Sequence, residues 1–324
     1  MNSGPPSPLH VVIGAGQIGP QVAARLAAGG LRVRMLRRSA LSDVPPGVEA
    51  VRADILDPRQ ADDALRGASV VYHCANPPYH RWGAELLPLT RAVVEGATRA
   101  GARLVALDNL YMYGRTPGGV MREDTPVAPC SRKGALRAEA AALMLDAHRR
   151  GDVEVVMGRA ADFMGPHVTI SALGDRFWVR LLAGKPVEVM GDPDQPHSFS
   201  YAPDVARGLV TLGTEAEGAD LGRAWHLPAL PAEPTRAWIQ RFAEAAGQRP
   251  RLTTLTPFTM KLAGLFIPAV RELPEMLYQW EAPFILDDAA FRNRFGVAPT
   301  LAAEVVAQTV AWATAHYGAP ARAA

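Results

Sequence analysis

Apolar residues along this chain gather into short runs, and each run is followed by a stretch in which they recur at helical spacing. The runs are 9-LHVVIG-14, 31-LRVRML-36, Val48 to Ala53, 69-SVVYHC-74, 103-RLVALD-108 and 153-VEVVMGR-159. Short runs rich in Val, Leu and Ile suit strands covered on both faces, as in a parallel sheet. Between them, Gln21 to Ala28, 58-PRQADDALRG-67, Leu86 to Ala100 and about Ser131 to Arg150 read as helices, the first stopped by Gly29-Gly30. Strand and helix in alternation predict an α/β, doubly wound parallel sheet with right-handed crossovers. After Gly165-Pro166 the alternation fails. Helical patterns at 203-PDVARGLVTL-212 and 235-TRAWIQRFAEAAG-247 and a short strand at 224-AWHL-227 predict a smaller C-terminal lobe. The expected division is a disordered tail over 1–8, a sheet domain over 9–165, and a substrate lobe over 166–324 partly threaded back onto the sheet. The crevice between lobe and strand ends is the expected ligand site.

The first strand-to-helix junction carries Gly14-Ala15-Gly16-Gln17-Ile18-Gly19. The first glycine permits a tight turn, the second lets the backbone approach a pyrophosphate, and the third packs helix closely on strand, with the helix N-terminus facing the phosphates. In this position the pattern predicts a nicotinamide dinucleotide. At the end of the second strand an acidic residue would hold the ribose hydroxyls of NAD. The chain instead has 34-RMLRRS-39, where Arg37 and Arg38 can pair with a 2′-phosphate, so NADP is expected over NAD. At the next strand ends, Asp54 and Ile55 are placed to meet the adenine, and Cys74, Ala75 and Asn76 to line the pyrophosphate and ribose.

Composition excludes several alternatives. The 34 basic and 32 acidic side chains give a net charge of +2 and no broad electropositive surface for nucleic acid. Two cysteines, Cys74 and Cys130, form no metal-ligand cluster, so no metal is expected. The start MNSGPPSPLH lacks the pattern of a signal peptide, and the apolar run 261-KLAGLFIPAV-270 is too short to span a bilayer. The expectation is a cytoplasmic protein with no membrane partner.

The glycine loop, Asp54, 72-YHCAN-76, 111-YMYG-114, 123-EDTPVAP-129, 159-RAADFMGP-166 and 199-FSYAPDVA-206 together resemble the extended short-chain dehydrogenase/reductase superfamily, the NAD-dependent epimerases and dehydratases, over nearly the whole chain. The resemblance implies a Rossmann fold, cofactor contacts from Ala160 and Phe163, and a homodimer whose surface lies near 79-YHRWGAELLP-88. It also implies a Ser or Thr after the fifth strand and a Tyr and Lys one helical turn apart. In that arrangement the lysine lowers the phenol's pKa and holds the nicotinamide ribose.

These residues are absent. By alignment on 112-MYG-114 and on Glu139, the serine position falls on Asn109, the tyrosine position on Ser131 and the lysine position on Ala135. Lys133 stands two residues from the lysine position, about 200° around a helix, and so on another face. The candidate catalytic set is therefore Asn109, Tyr111, Ser131 and Lys133. Tyr111 is the best-placed acid–base group, since it shares the strand-exit face of Asn109. The competing reading makes Tyr111 an apolar wall, and Lys133 and Arg137 a solvated helix face.

In 196-PHSFSYAPDVA-206, His197 takes the position of the arginine that grips a diphosphate in nucleotide-sugar members, with Ser198 at the acidic position. A neutral imidazole is a poor diphosphate clamp, which argues against a nucleotide sugar. Tyr111, Phe163, Met164, Phe177 and His197 are the expected substrate contacts, with Trp178, Met190 and Phe199 as further wall material. The expected function is an atypical NADP-dependent oxidoreductase on a small carbonyl or alcohol. The alternatives are a non-catalytic NADP-binding sensor and a redox-neutral lyase or isomerase.

Overall fold

The computed structural model describes residues 7–39, 44–255, 260, 265–266 and 268–318. Most of the expected tail and much of the apolar run at 261–270 lie outside the described residues. Strands β1 (Leu9–Ile13), β2 (Arg32–Arg37), β3 (Val48–Arg52), β4 (Ala68–His73), β5 (Arg103–Asp108), β6 (Val120–Met121), β7 (Val155–Arg159), β8 (Asp162–Met164), β9 (Val187–Met190), β10 (Pro196–His197), β11 (Phe199–Tyr201) and β12 (Ala224–His226) follow in chain order. Seven of them form one sheet in the order β12-β7-β5-β4-β1-β2-β3, and every pairing in it is parallel. The doubly wound Rossmann fold expected from the alternation is thus present. The strand order reverses between β1 and β4, and the crevice outside their carboxyl ends is where such sheets bind ligands.

The sheet is covered on both faces, which is why its strands read as nearly unbroken apolar runs. Val11, Ile13, Leu104, Ala106, Val155 and Met157 point to one face and pack with Leu65, Val93, Ala97 and Met144. These come from helices α2 (Pro58–Leu65), α3 (Trp82–Ala100) and α4 (Arg132–Arg149). Val12, Val105 and Val156 point to the opposite face and pack with Val22, Leu26, Leu209 and Leu212. The partners there are helices α1 (Gly19–Ala28) and, from beyond the irregular stretch, α6 (Ala202–Glu215). Both α6 and β12 return from the C-terminal half to complete the sheet layer. The remaining lobe has its own core of Phe177, Trp178, Phe199, Tyr201, Trp238, Phe242 and Trp280, built on α5 (Asp175–Leu182), α7 (Thr235–Ala245) and the helix Ala302–Tyr317.

One boundary differs from the sequence expectation. Helix α3 begins at Trp82, not Leu86, and continues through Pro88, which breaks the usual rule against an interior proline. The buried Trp82 ring, whose Nε1 donates to the Pro77 carbonyl at 3.1 Å, anchors the extra turn.

A buried polar chain ties the strand ends on the β5 side. Arg159 Nε donates to Asp108 Oδ2 at 3.1 Å, joining β7 to β5, and Arg159 Nη1 donates to the Tyr113 hydroxyl at 2.7 Å. That hydroxyl donates to His226 Nε2 at 2.7 Å on β12, while His226 Nδ1 donates to the Asp287 carbonyl at 3.0 Å. Burial, helped by the neighbouring Arg159 charge, lowers His226 to about 3. Burial lowers His73, at the end of β4, to about 4, with Arg137 adding to the effect.

Both histidines are neutral in the folded chain and take up protons on unfolding below about 6.5, so their contribution is present above that pH and lost as pH falls through it. Stability measured by denaturant unfolding is expected to fall from about pH 6.5 down to about pH 4, each histidine contributing up to about 1.4 kcal/mol per pH unit. The variant carrying both His73→Gln and His226→Gln should show a shallower slope. An equal slope in variant and wild type refutes the assignment.

Candidate functional site

A cleft of about 1040 Å³ runs from the glycine loop across the ends of β2, β4, β5 and β7 into the C-terminal lobe. Gly14 adopts φ +108°, open to glycine and strained for other residues, and a Cβ there would lie 2.6 Å from Ala75 Cα. A Cβ on Gly19 would overlap the Gly14 carbonyl oxygen, so this glycine lets α1 seat against the turn. Gly16 has nothing within 4 Å of where its Cβ would be. That open cradle beside a helix N-terminus fits a pyrophosphate. Gln17 and Ile18 line the same wall. The Gln17 side chain is committed elsewhere: its Oε1 accepts from Thr169 N at 2.7 Å and Ile170 N at 2.5 Å, fastening the lobe to the loop.

Arg37, Arg38, Asp54, Ile55, Cys74, Ala75, Asn76, Ala160 and Phe163 all line the cleft, as their strand-end positions suggest. The two arginines are exposed at its rim. Asp54 Oδ1 accepts from Leu56 N at 3.1 Å, which shapes its own turn. Burial pushes the Cys74 thiol up to about 12, so it is an inert wall group.

The four candidate catalytic residues part company. Asn109 and Tyr111 line the cleft. Asn109 Oδ1 accepts from the Tyr111 amide at 3.1 Å, so it sets the turn that aims Tyr111. Ser131 is the N-cap of α4, its Oγ accepting from Gly134 N at 3.0 Å. Lys133 is 1 % exposed and is not a solvated helix residue; Nζ donates to Glu272 Oε2 at 2.7 Å and to the Tyr79 carbonyl at 3.0 Å. Ser131 and Lys133 are absent from the cleft wall. The burial of Lys133 follows from its partner Glu272, which lies 139 residues away and carries no local signal.

Arg137 is likewise no surface residue. Its guanidinium lies 4.2 Å from the Trp82 ring centroid and donates to Asn76 Oδ1 at 2.9 Å, with Nη1 3.9 Å from Asp108 Oδ1. It lines the cleft, and its Nε is buried without a protein partner among the described residues. The Tyr79 and Tyr111 side chains both line the cleft. Burial first, and then the nearby Asp162 carboxylate, raise Tyr111 far above its ordinary value. The phenol is therefore neutral.

Of the expected substrate contacts, Phe163 and Phe177 line the cleft, as does Met190. Met164, Trp178 and Phe199 do not; they are fully buried in the lobe core. His197 is also off the wall. It is 2 % exposed and stacked on Trp280 with centroids 3.8 Å apart. Its Nε2 lies 2.8 Å from Asp162 Oδ2, and Asp162 faces the cleft in its place. Asp162, Arg137, Tyr79 and Trp82 are the site residues that sequence reasoning missed. For three of them the signal was position, three residues past the end of β7 for Asp162 and six and nine residues past the end of β4 for Tyr79 and Trp82. Among the described residues no cluster of side chains suits a metal ion, and no helix is long and apolar enough to cross a membrane.

The family model described as "NAD dependent epimerase/dehydratase family" matches residues 10–227. A dTDP-glucose 4,6-dehydratase of Streptomyces niveus is 25% identical over 274 residues, covering 81% of this chain and 75% of that protein. UDP-glucuronic acid decarboxylase 4 of Arabidopsis thaliana is 28% identical over 242 residues; the match spans 66% of this chain and about half, 52%, of that longer relative. Among solved structures, DesIV, a dTDP-glucose 4,6-dehydratase from Streptomyces venezuelae with NAD bound, superposes with a TM-score of 0.75 at 21% identity, covering 96% of this chain and 98% of that one. A UDP-glucuronic acid 4-epimerase from Bacillus cereus with UDP-glucuronic acid and NAD gives 0.77 at 18% identity, covering 95% and 100%. At such identities the likeness establishes the fold.

These findings overturn the expectation of an NADP-dependent oxidoreductase on a small carbonyl or alcohol that excludes nucleotide sugars, since the relatives are nucleotide-sugar dehydratases, decarboxylases and epimerases. The reason for the error is geometric. The exclusion assumed that His197 meets the ligand, whereas His197 lies behind Asp162 and reports nothing about what the cleft grips.

The glycine geometry separates folding from binding. Gly16→Ala is expected to leave the thermal midpoint unchanged while weakening dinucleotide binding about tenfold or more, because the new methyl enters only ligand space. Gly19→Ala is expected to destabilise the fold by about 1–3 kcal/mol through overpacking. Calorimetric titration and thermal unfolding of the two variants check both; a Gly16→Ala protein that binds as wild type refutes the cradle.

Proposed function

The chain belongs to the NAD dependent epimerase/dehydratase family, and from that premise we propose that it converts a nucleotide sugar using a nicotinamide dinucleotide that is recycled within the cleft. The observation that carries this reading is the continuity of the cleft, which joins the glycine loop to a wall of Thr235, Ile239, Gln279 and Trp280 in the second lobe. Its volume, about 1040 Å³, lies at the upper end of the range for pockets holding one drug-sized ligand, which leaves room for a dinucleotide and a second elongated molecule. The relatives suggest the chemical class, since a dTDP-glucose 4,6-dehydratase and a UDP-glucuronic acid 4-epimerase superpose over 96% and 95% of this chain.

When bound, the dinucleotide accepts a hydride from a carbinol carbon and returns it, so oxidation and reduction cancel over a turnover. The glycine loop presents backbone amides to its pyrophosphate, and Asp54 and Ile55 bound the far end. Asn76 and Arg137 form a polar patch beside Asp108. Tyr111, neutral and on the cleft wall, serves as a donor to a substrate oxygen and holds its proton there. Asn109 acts by setting the Tyr111 turn.

The form of the dinucleotide has support on both sides. Neighbouring structures hold NAD, while Arg37 and Arg38 offer a 2′-phosphate two charge-assisted contacts. NAD therefore suffices for turnover, and the arginines add affinity for NADP. Replacing both Arg37 and Arg38 with alanine is expected to weaken NADP about tenfold to a hundredfold while shifting NAD less than about threefold. Equal losses for the two remove the arginines from the site.

The reading itself is tested by calorimetric titration of NAD-loaded protein with dTDP-glucose and UDP-glucuronic acid, followed by NMR of the sugar. Binding with conversion, and no accumulation of reduced dinucleotide, is the expected result. Failure of wild-type protein to bind either sugar nucleotide overturns it.

A further inference from the structure

The described residues place one carboxylate in the cleft with a histidine behind it. Asp162 begins β8, just past the end of β7, with its side chain 22 % exposed on the cleft wall. Oδ2 lies 2.8 Å from His197 Nε2. Oδ1 has no hydrogen-bonding protein partner among the described residues and is left to the cleft. His197 is held rigidly: its ring stacks on Trp280 at an interplanar angle of 11° and lies 5.3 Å from the Phe284 ring. Its Nδ1 lies 3.2 Å from the Gln279 carbonyl oxygen.

Hydrogen-bond accounting fixes what this pair contains. A carbonyl oxygen only accepts, so Nδ1 carries a hydrogen. Nε2 then faces a carboxylate oxygen, and a contact of 2.8 Å between two such atoms requires a second hydrogen between them. The flat face of Trp280 against the imidazole favours the charged ring. The pair therefore holds a proton on its buried side and leaves electron density on the Oδ1 side. The other titratable groups facing Asp162 are the phenols of Tyr79, Tyr111 and Tyr278, all raised by burial and further raised by its charge. They remain neutral donors, and Asp162 is the base among them.

We propose that Asp162 is the catalytic base of this cleft, with His197 as its positioning residue, doing the proton transfer for which the chain lacks the tyrosine and lysine pair. The inference rests on the nucleotide-sugar reading above. The dinucleotide would supply the hydride acceptor, so that the carbinol C–H bond breaks with its electron pair leaving as hydride while the hydroxyl O–H bond breaks on the protein's side. The proton goes to Asp162 Oδ1, and the electron pair of that bond becomes the second carbon–oxygen bond. When the carbonyl is reduced again, the same proton returns to oxygen. Tyr111 donates a hydrogen bond to that oxygen throughout and keeps its proton.

Three readouts test this with the full-length, NAD-loaded protein and the probes dTDP-glucose and UDP-glucuronic acid. Asp162→Asn is expected to bind NAD and the sugar nucleotide within about threefold of wild type yet lose turnover about a hundredfold to ten-thousandfold. Asp162→Glu, which keeps the carboxylate, should recover part of that loss. His197→Gln, which keeps a donor toward Asp162, should turn over faster than His197→Phe. Nitrogen NMR of the His197 ring needs no substrate: hydrogens on both ring nitrogens are expected in the wild type, and on Nδ1 alone in Asp162→Asn. Wild-type turnover in a folded Asp162→Asn protein overturns the proposal, and so does a ring with an unprotonated Nε2 in the wild type. If wild-type protein binds neither sugar nucleotide, the functional reading above fails instead, and the NMR result alone decides whether the proton-holding pair exists.

Discussion

The ion pair between Asp108 and Arg159 is the constraint around which the site is arranged. Both side chains are 5 % exposed or less, at the carboxyl ends of adjacent parallel strands, where the sheet would otherwise fray toward the cleft. Losing either partner would strand a charge in the interior, a cost of about 3–5 kcal/mol. The pair is therefore kept closed, and the backbone that follows each strand is fixed with it. Ala160 N donates to the Asp108 carbonyl at 3.1 Å directly above the pair. That bond sets where the chain leaves β7, and so where Asp162 arrives.

From that anchor the polar groups sort into those that are spent and those that are open. Asn109 is spent on the Tyr111 turn, Ser131 on capping α4, Lys133 on Glu272, and Gln17 on the loop at 169–170. None of these can make the same bond to a ligand without leaving a protein donor or acceptor unmatched, which a buried site tolerates poorly. The open groups are the Asp162 Oδ1 atom, the Tyr111 proton and the buried Arg137 Nε. Chemistry is expected from the second set because the first is already satisfied.

The sheet was legible in the sequence because both of its faces are covered, so each strand is a short apolar run and each helix a periodic one. Gly14, Gly16 and Gly19 were legible for a different reason: each answers to a local steric demand that sequence position states fully. Lys133 and Arg137 were not, since charge alone reads as a solvated face and their partners Glu272 and Trp82 come from other elements. His197 was misread through the assumption that a position in the pattern implies a place on the wall. Asp162 stands between the imidazole and the cleft through a contact 35 residues apart, about which the helical and strand periodicities are silent. Met164 failed similarly: it is fully buried in the lobe core, while Asp162 and Phe163 before it line the cleft.

The loss of a tyrosine and lysine pair need not end catalysis in a site of this shape. What that pair supplies is a group able to take a proton near neutrality, and a cation to pull the phenol into range. Here burial drives Tyr111 in the opposite direction, and Lys133 is too occupied to correct it. Where the phenols of a cleft stay protonated, a carboxylate among them is the group with an oxygen free to accept a proton, since the neighbouring donors hold it in place and do not compete for that proton. A carboxylate facing a nucleotide sugar would repel its diphosphate if it stood alone. With His197 Nε2 held 2.8 Å behind it and the two ring hydrogens proposed above, the pair would present no net charge to the ligand at a distance. On that argument His197 and Asp162 act together, with the imidazole set behind the carboxylate that lines the cleft.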